Sequence, residues 1–97
     1  MKLYLVHCGF YDPDIGDGLY EAHTNLFVAA TDFDHARHQA KKLPSFKAKK
    51  MHVDGIQEVQ AVDGYRLVLA EDNTLDGATN LVTNRHRDLA PKQPTSP

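Results

Sequence analysis

The sequence predicts an α+β domain with a four-stranded, mainly antiparallel sheet and one helix across one face of it. The clearest observation is a predicted hairpin from His52 to Leu69, in which Val62-Asp63-Gly64 separates two β-rich runs. Asp-Gly favours a tight turn because glycine adopts positive φ without a steric clash. Two more β-rich runs lie nearer the amino terminus, and a segment with apolar residues at helical spacing follows them. Together these observations predict the order strand, strand, helix, strand, strand.

The first predicted strand is Lys2–Cys8, which is rich in Leu, Val and Tyr and is followed by Gly9. Apolar groups lie on both of its faces, which is typical of a central strand. The next segment, Phe10–Gly18, contains three Asp, two Gly and one Pro. That composition predicts an exposed loop in which the chain reverses.

The second predicted strand is Tyr20–Ala30, and a helix follows it. Thr31 offers a hydroxyl to cap this helix, and Pro44 should end it because proline cannot continue a helix interior. The apolar stripe at the helical period consists of Phe33, Ala36, Ala40 and Leu43. One helix face is therefore expected to pack on the sheet, and a basic connection, Lys47–Lys50, should lead into the third strand.

Hydrophobicity also predicts how the strands are arranged. The first and last strands are the most apolar, and placing them side by side gives the order 2-1-4-3, a β-grasp-like arrangement with a right-handed crossover. Residues 1–70 are expected to form this single compact domain. Residues 71–97 are expected to form a polar, proline-containing tail that is partly or wholly loose.

The last predicted strand indicates a need for a partner. Its apolar residues, from Tyr65 to Ala70, alternate over both faces, whereas a single helix covers only one face of a sheet. A core built from about 70 ordered residues is also marginal by size. We therefore expect a homodimer that packs sheet on sheet, with the C-terminal tail as the alternative cover.

The composition argues against several classes of protein. A formal net charge of −2 argues against a protein built mainly to neutralise phosphates, and no apolar run approaches the roughly 20 residues that cross a bilayer. The single Cys8 cannot form an internal disulfide, so a cytoplasmic location is expected. The first residues alternate as a strand does, and we interpret them as part of the mature fold. No cofactor and no membrane partner is expected.

A resemblance to a known family is carried by three stretches, KLYLVHCGF, EAHTNLFVAA and MHVDGIQEVQAVDGYRLVL. Their most specific parts are Glu21 with His23, the His52-Val53-Asp54 step and Val62-Asp63-Gly64-Tyr65. Over residues 1–70 the chain resembles a small bacterial family catalogued as "domain of unknown function 1543". The resemblance implies a compact domain and assigns no activity.

Two histidines and two carboxylates are the main candidates for catalytic residues. His52 and Asp54 are two apart on a predicted strand, so they project from one face, where the carboxylate could orient the imidazole or both could ligate a metal. His23, with Glu21 near it, would add a second imidazole. In the predicted strand order the second and third strands are opposite edges of the sheet, which disfavours this set within one chain. A subunit interface could assemble it; otherwise these are structural or surface residues, and no metal is expected.

The remaining chemistry-bearing residues have simpler interpretations. His7 and Cys8 are neighbours on a strand and point to opposite faces, so they cannot pair, and Cys8 is expected to be a small buried hydrophobe. His35 and His38 are expected to be incidental surface residues of the helix. The acidic loop at residues 12–18 lacks the closing acidic residue of an EF-hand, so we interpret it as a turn.

A basic cluster, Lys41–Lys50, surrounds Phe46 at the end of the helix. It could bind an anion or a nucleic acid, with the aromatic ring stacking on a base. Alternatively it is a solvated helix end, where lysines interact favourably with the helix dipole. The candidate anion-binding residues are Lys42, Lys47, Lys49 and Lys50.

Three functions are compatible with the sequence. The favoured one is a homodimeric binding or interaction module without catalysis of its own. The alternative is a small-molecule enzyme or metal protein that uses His23, His52 and Asp54 at a subunit interface. The third is a weak nucleic-acid or anion binder through Lys41–Lys50.

Overall fold

The computed structural model describes residues 1–89, and its centre is a three-stranded antiparallel sheet. The strands are β1 (Lys2–Tyr11), β2 (Glu21–Ala30) and β3 (His52–Glu58), in the spatial order β2-β1-β3. Helices lie on one side of this sheet. The predicted α+β class is therefore confirmed, whereas the prediction of one four-stranded sheet is wrong.

The central strand is β1, as its two apolar faces indicated. It pairs with β2 along its whole length, from Lys2 opposite Ala30 to Tyr11 opposite Glu21. The strand is longer than the predicted Lys2–Cys8 because the chain reverses only after Tyr11. Three residues assigned to a loop or to its border, Gly9, Phe10 and Tyr11, therefore belong to the sheet.

The helix α1 (Phe33–Lys41) packs across one face of the sheet. Its N-cap is Asp32, whose carboxylate accepts a hydrogen bond from the His35 amide at 2.8 Å. The prediction that Thr31 caps the helix is wrong, since the Thr31 amide instead donates to His35 Nδ1 at 3.0 Å. A charged carboxylate is the stronger acceptor, which favours a start at Asp32.

A second short helix, α2 (Pro44–Ala48), follows directly. Pro44 does mark the end of α1, but it also occupies the first turn of α2, where a missing amide proton costs nothing. This helix buries Phe46 in the core. The predicted connection is therefore partly helical, and its aromatic ring is not on the surface.

The core lies between α1, α2 and the helix-facing side of the sheet. Its buried residues are Tyr4, Val6, Cys8, Phe10, Val28, Ala30, Ala36, Ala40, Phe46 and Met51. Phe33 sets the edge of its ring against Tyr4, with 5.2 Å between centroids. Cys8 is fully buried, as predicted; burial, and to a lesser extent the charge of Asp54, raises the pKa of its thiol.

The predicted hairpin turn is confirmed, but its second strand lies elsewhere. Asp63 and Gly64 have φ of 52° and 84°, and they join β4 (Ala61–Val62) to β5 (Tyr65–Arg66) in a separate two-stranded ribbon. The order 2-1-4-3 is wrong because β3 occupies the edge of β1 that the fourth strand was expected to occupy. The contact with β1 extends one residue beyond β3, since the amide of Val59 donates to the Leu3 carbonyl at 2.9 Å.

Beyond the ribbon, residues 67–89 contain no strand and only two short 3-10 turns, Asn73–Leu75 and His86–Asp88. The division of the chain after residue 70 stays a prediction. The last part of the predicted tail, residues 90–97, lies outside the described residues. Among residues 1–89, no helix is both long and apolar enough to cross a membrane.

Candidate functional site

The sheet face opposite α1 carries a group of polar side chains. Because side chains alternate along a strand, Glu21 and His23 of β2 project from this face, together with His52 of β3. Their side chains are partly accessible, with exposed fractions of 31% to 48%. We call this surface the open sheet face.

Gly9 lies at the centre of the open sheet face. It is the β1 residue opposite both His23 on one side and His52 on the other. Having no side chain, it leaves the space above β1 free for its neighbours. A Cβ atom at this position would meet Glu21 Oε1, would lie 2.6 Å from His52 Nε2 and would lie 2.8 Å from Asp54 Oδ2.

A β-bulge brings Asp54 to the same place. Val53 pairs with Cys8 and Gly55 pairs with His7, so Asp54 is the extra residue of β3. A bulge changes the direction of a side chain relative to regular alternation. Here the carboxylate of Asp54 lies on the open sheet face, beside His52.

Four side chains converge over Gly9, and we call them the His–carboxylate cluster: Glu21, His23, His52 and Asp54. Glu21 Oε1 lies 2.9 Å from His23 Nε2 and 3.0 Å from His52 Nε2. The oxygens of Asp54 lie 3.3 Å from His23 Nε2 and 3.2 Å from His52 Nε2. The imidazole of His23 on β2 and the imidazole of His52 on β3 therefore lie close to the same two carboxylates.

The expectation that opposite edges keep these residues apart within one chain is wrong. With three strands instead of four, β2 and β3 are separated by β1 alone, a span of about 10 Å. Histidine and glutamate side chains bridge this distance when the residue between them is glycine. The structure therefore assembles the cluster without a second subunit.

The electrostatics of the cluster favour an ionised Glu21. Desolvation raises the pKa of this carboxyl, but a hydrogen bond from His52 and the charges of His23 and His52 together outweigh that effect. The net result is a pKa below the ordinary value of 4.5. Tyr11 adds a hydroxyl that donates to Glu21 Oε2 at 3.4 Å.

His7 is a further histidine beside the cluster, at a position that was not predicted from the sequence. Its ring stacks on that of His23 with 5.1 Å between centroids, and its Nδ1 is hydrogen-bonded to Asn25 Oδ1 at 2.9 Å. His7, His23 and Asp54 offer ligand atoms within 4.8 Å of one another. The signal for this position was present, since His7 is two residues before Gly9 and so shares its face.

Comparison with known proteins places these residues in a family. The family model described as Domain of Unknown Function (DUF1543) matches residues 18–69, more than half of the chain. The chain belongs to the DUF1543 family. All four members of the His–carboxylate cluster lie within the matched range, whereas Gly9 and His7 precede it. Searches of curated proteins and of solved structures found no match.

The DUF1543 cluster has the donor atoms of a transition-metal site. His23 Nε2 lies within 3.3 Å of both Glu21 and Asp54, and its single N–H reaches both only by sharing the proton in a three-centre hydrogen bond. Ligand atoms of Glu21, His52 and Asp54 lie within 4.8 Å of one another, as do those of His7, His23 and Asp54. The imidazole–carboxylate distances of 2.9 to 3.3 Å are close to the roughly 3.3 Å between donor atoms in a tetrahedral zinc site.

The basic segment of the DUF1543 domain is engaged within the fold. Lys49 donates to Asp12 Oδ2 at 2.6 Å, and its ammonium group lies 5.3 Å from the Phe10 ring centroid. Phe46, the ring expected to stack on a base, is buried. The candidate anion-binding residues follow the helix ends: Lys42 is the C-cap of α1, Lys47 lies in the last turn of α2, and Lys49, the C-cap of α2, precedes Lys50.

The acidic loop and one histidine of the helix, His35, have structural partners. Asp12 Oδ1 accepts a hydrogen bond from the Asp14 amide at 2.9 Å, the geometry of an Asx turn. His35 Nδ1 accepts from the Thr31 amide at the start of α1. Turn and capping contacts therefore account for Asp12, Asp14 and His35.

Proposed function

We propose that the DUF1543 domain binds a divalent transition-metal ion, with zinc as the best fit, through the His–carboxylate cluster. The observation that carries the proposal is the approach of two imidazole nitrogens to the same two carboxylates at 2.9 to 3.3 Å. Imidazole nitrogens suit zinc, copper, nickel and iron. Calcium and magnesium prefer sites made only of oxygen ligands.

The ligand count is three protein side chains in each of two overlapping sets, Glu21, His52 and Asp54 and His7, His23 and Asp54. Structural zinc sites have four protein ligands, whereas catalytic sites keep a position open for water or substrate. A set of three therefore leaves the fourth position of a tetrahedral ion open to water or to a small ligand. An ion held by Glu21, His52 and Asp54 would join β2 to β3 across Gly9, which fits a binding module.

Zinc titration of the untagged, EDTA-treated full chain tests this proposal. Isothermal titration calorimetry should show one zinc per chain, and His52→Ala should weaken binding by at least about 100-fold, since changes outside the ligand set alone cost about 10- to 100-fold. His38→Ala is the matched control because His38 lies on α1 and not on the open sheet face. Absence of zinc binding, or equal weakening by both substitutions, would contradict the proposal.

A second candidate function is the homodimeric interaction module. It is supported by the number of large apolar side chains that are exposed among the described residues. Those at least 67% exposed are Leu19, Tyr20, Tyr65, Val68, Leu81, Val82 and Leu89. The Cα radius of gyration is 17.2 Å, against about 13 Å for a compact domain of this length. Light scattering should give twice the chain mass of 10.8 kDa; a mass of one chain at all concentrations would contradict it.

A further inference from the structure

An apolar stretch that was expected to form a strand is left without a strand partner. Residues 67–70, Leu-Val-Leu-Ala, follow β5 directly and were expected to form the central strand of the sheet. In the described residues they belong to no strand, and Val68 is 81% exposed. We call this stretch the LVLA segment.

The strand β3 has a free edge next to an apolar groove. Among the described residues it pairs only with β1, so the backbone groups on its other side have no strand partner. A groove of about 330 Å³ runs along this edge beneath α1. Its apolar lining consists of Phe33, Val53 and Ile56, and Phe33 is 52% exposed.

The LVLA segment does not close this edge within its own chain. Ribbon pairing ends where the Leu67 amide donates to the Gln60 carbonyl at 3.0 Å. Continuing the same register would place Leu69 opposite Glu58, but no bond of that kind is present among the described residues. The segment instead leaves the ribbon into solvent.

The exposed area has the size that an intimate dimer buries. A compact monomer of 10.8 kDa exposes about 5,500 Å², whereas this chain exposes 8263 Å². The difference is about 2,800 Å² per chain, or roughly 5,500 Å² for two chains, which is at the upper end of the total area that obligate homodimers bury. A second copy of the chain presents both the segment and the edge and can therefore bury both reciprocally.

We infer that two copies exchange their LVLA segments, each adding a strand to the free edge of β3 in the other. Adding a strand satisfies the edge backbone groups and places alternate side chains in the groove. Each side offers charges of both signs, since the groove is lined by Asp34, Asp54 and Arg37 while the segment is flanked by Arg66 and Glu71. This inference rests on the proposed homodimer and specifies its interface.

Cysteine pairs in the full chain test the exchange. Gly55 of β3 accepts a side chain, because a Cβ there meets no atom within 4 Å, and the native Cys8 is buried out of reach. Gly55→Cys is combined in turn with a cysteine at positions 67, 68, 69 and 70. After mild oxidation, non-reducing gels report whether the disulfide joins two chains or closes within one.

The expected result is a covalent dimer that forms strongly at alternate positions, because successive side chains of a strand point to opposite faces. The matched control combines Gly55→Cys with Val82→Cys, which places the second cysteine at a valine outside the segment that is even more exposed than Val68. Disulfides within one chain, or equal cross-linking at all five positions, would overturn the exchange.

The solution mass separates failure of this inference from failure of the proposed homodimer. A wild-type dimer without cross-linking at the β3 edge would leave the dimer in place and overturn the exchange. A wild-type mass of 10.8 kDa at all concentrations would overturn both.

Discussion

At the scale of single residues, Gly9 determines whether the His–carboxylate cluster can form. A Cβ atom at this position would displace the ends of three side chains, Glu21, His52 and Asp54, while leaving the core side of β1 untouched. Gly9→Ala should therefore weaken zinc binding by at least about tenfold, with a change in unfolding free energy of no more than about 1 kcal/mol. Calorimetry with zinc and urea denaturation of the metal-free chain measure the two effects.

Gly55→Ala provides the matched control for Gly9→Ala. Gly55 is also a strand residue on the open sheet face, but a Cβ there meets nothing within 4 Å. Zinc affinity should be unchanged in this variant. If both glycine substitutions weakened zinc binding equally, the loss would result from replacing a glycine in a strand and not from filling the space above Gly9.

A second prediction at this scale concerns the contact between Asp12 and Lys49. The hydrogen bond from Lys49, followed by one from the Asp14 amide, holds the pKa of Asp12 below its usual value of 3.8. Because the folded-state pKa is the lower one, the contact stabilises the fold above about pH 3.8 and loses this effect as the pH falls through the folded-state pKa.

Urea denaturation of wild type and Asp12→Asn from pH 7 to pH 2 measures this contribution. The wild type should be the more stable at neutral pH, and the difference between the two proteins should shrink in acid. Asp14→Asn, which leaves the Lys49 contact intact, is the control. A difference that stayed constant down to pH 2 would count against the assigned contact.

The residues of the candidate site could be predicted from the sequence, but their proximity in the fold could not. The spacing of His52 and Asp54, and the presence of His23 and Glu21 on another strand, identified the four side chains as candidates. Their convergence depends on two features that alternation does not reveal: a glycine on the intervening strand and a bulge at Asp54. Both become visible only once the partner of each strand is known.

At the scale of secondary structure elements, the start of α1 provides a test of local hydrogen bonding. The Asp32 carboxylate caps the helix through the His35 amide, whereas the Thr31 hydroxyl contacts only the His35 ring, at 3.2 Å. Asp32→Ala should lower the free energy of unfolding by about 1 kcal/mol, as expected for loss of an N-cap. Urea denaturation at neutral pH measures this change.

Thr31→Ala is the matched control for the cap. It keeps the Thr31 amide that donates to His35 Nδ1 and removes only the hydroxyl, so the change should be smaller than that of Asp32→Ala. If Thr31→Ala were the more damaging substitution, Asp32 would not be the residue that stabilises the first turn.

Local patterns predicted most elements of this fold but not their pairing. Positive φ at Asp63 and Gly64 agrees with the predicted turn, and Ala36 and Ala40 of the predicted stripe are fully buried, whereas Phe33 of that stripe is 52% exposed. Hydrophobicity placed the last strand beside β1, however, and β3 occupies that edge instead. The apolar character that suggested a central strand is equally compatible with a segment that pairs with another chain, because burial in a dimer requires the same residues.

At the scale of the whole molecule, metal binding and strand exchange should affect thermal stability in separable ways. A ligand that binds only the folded state stabilises it by about 2.7 kcal/mol at 100 times its Kd, and for a chain of this length that raises Tm by roughly 10 to 20 °C. Dissociation of a dimer instead makes Tm depend on protein concentration.

The last prediction uses this difference on the full chain. Wild-type Tm should rise both with zinc and with protein concentration. Val68→Pro, which removes a backbone amide donor and fixes φ in the middle of the LVLA segment, should abolish the concentration dependence and keep the zinc shift. His52→Ala should do the reverse, because it removes a ligand on the open sheet face without changing the segment. Val82→Pro, in an exposed part of the tail, should behave as wild type. Loss of both responses in Val68→Pro would mean that the cluster forms only in the dimer, which would contradict a metal site assembled by one chain.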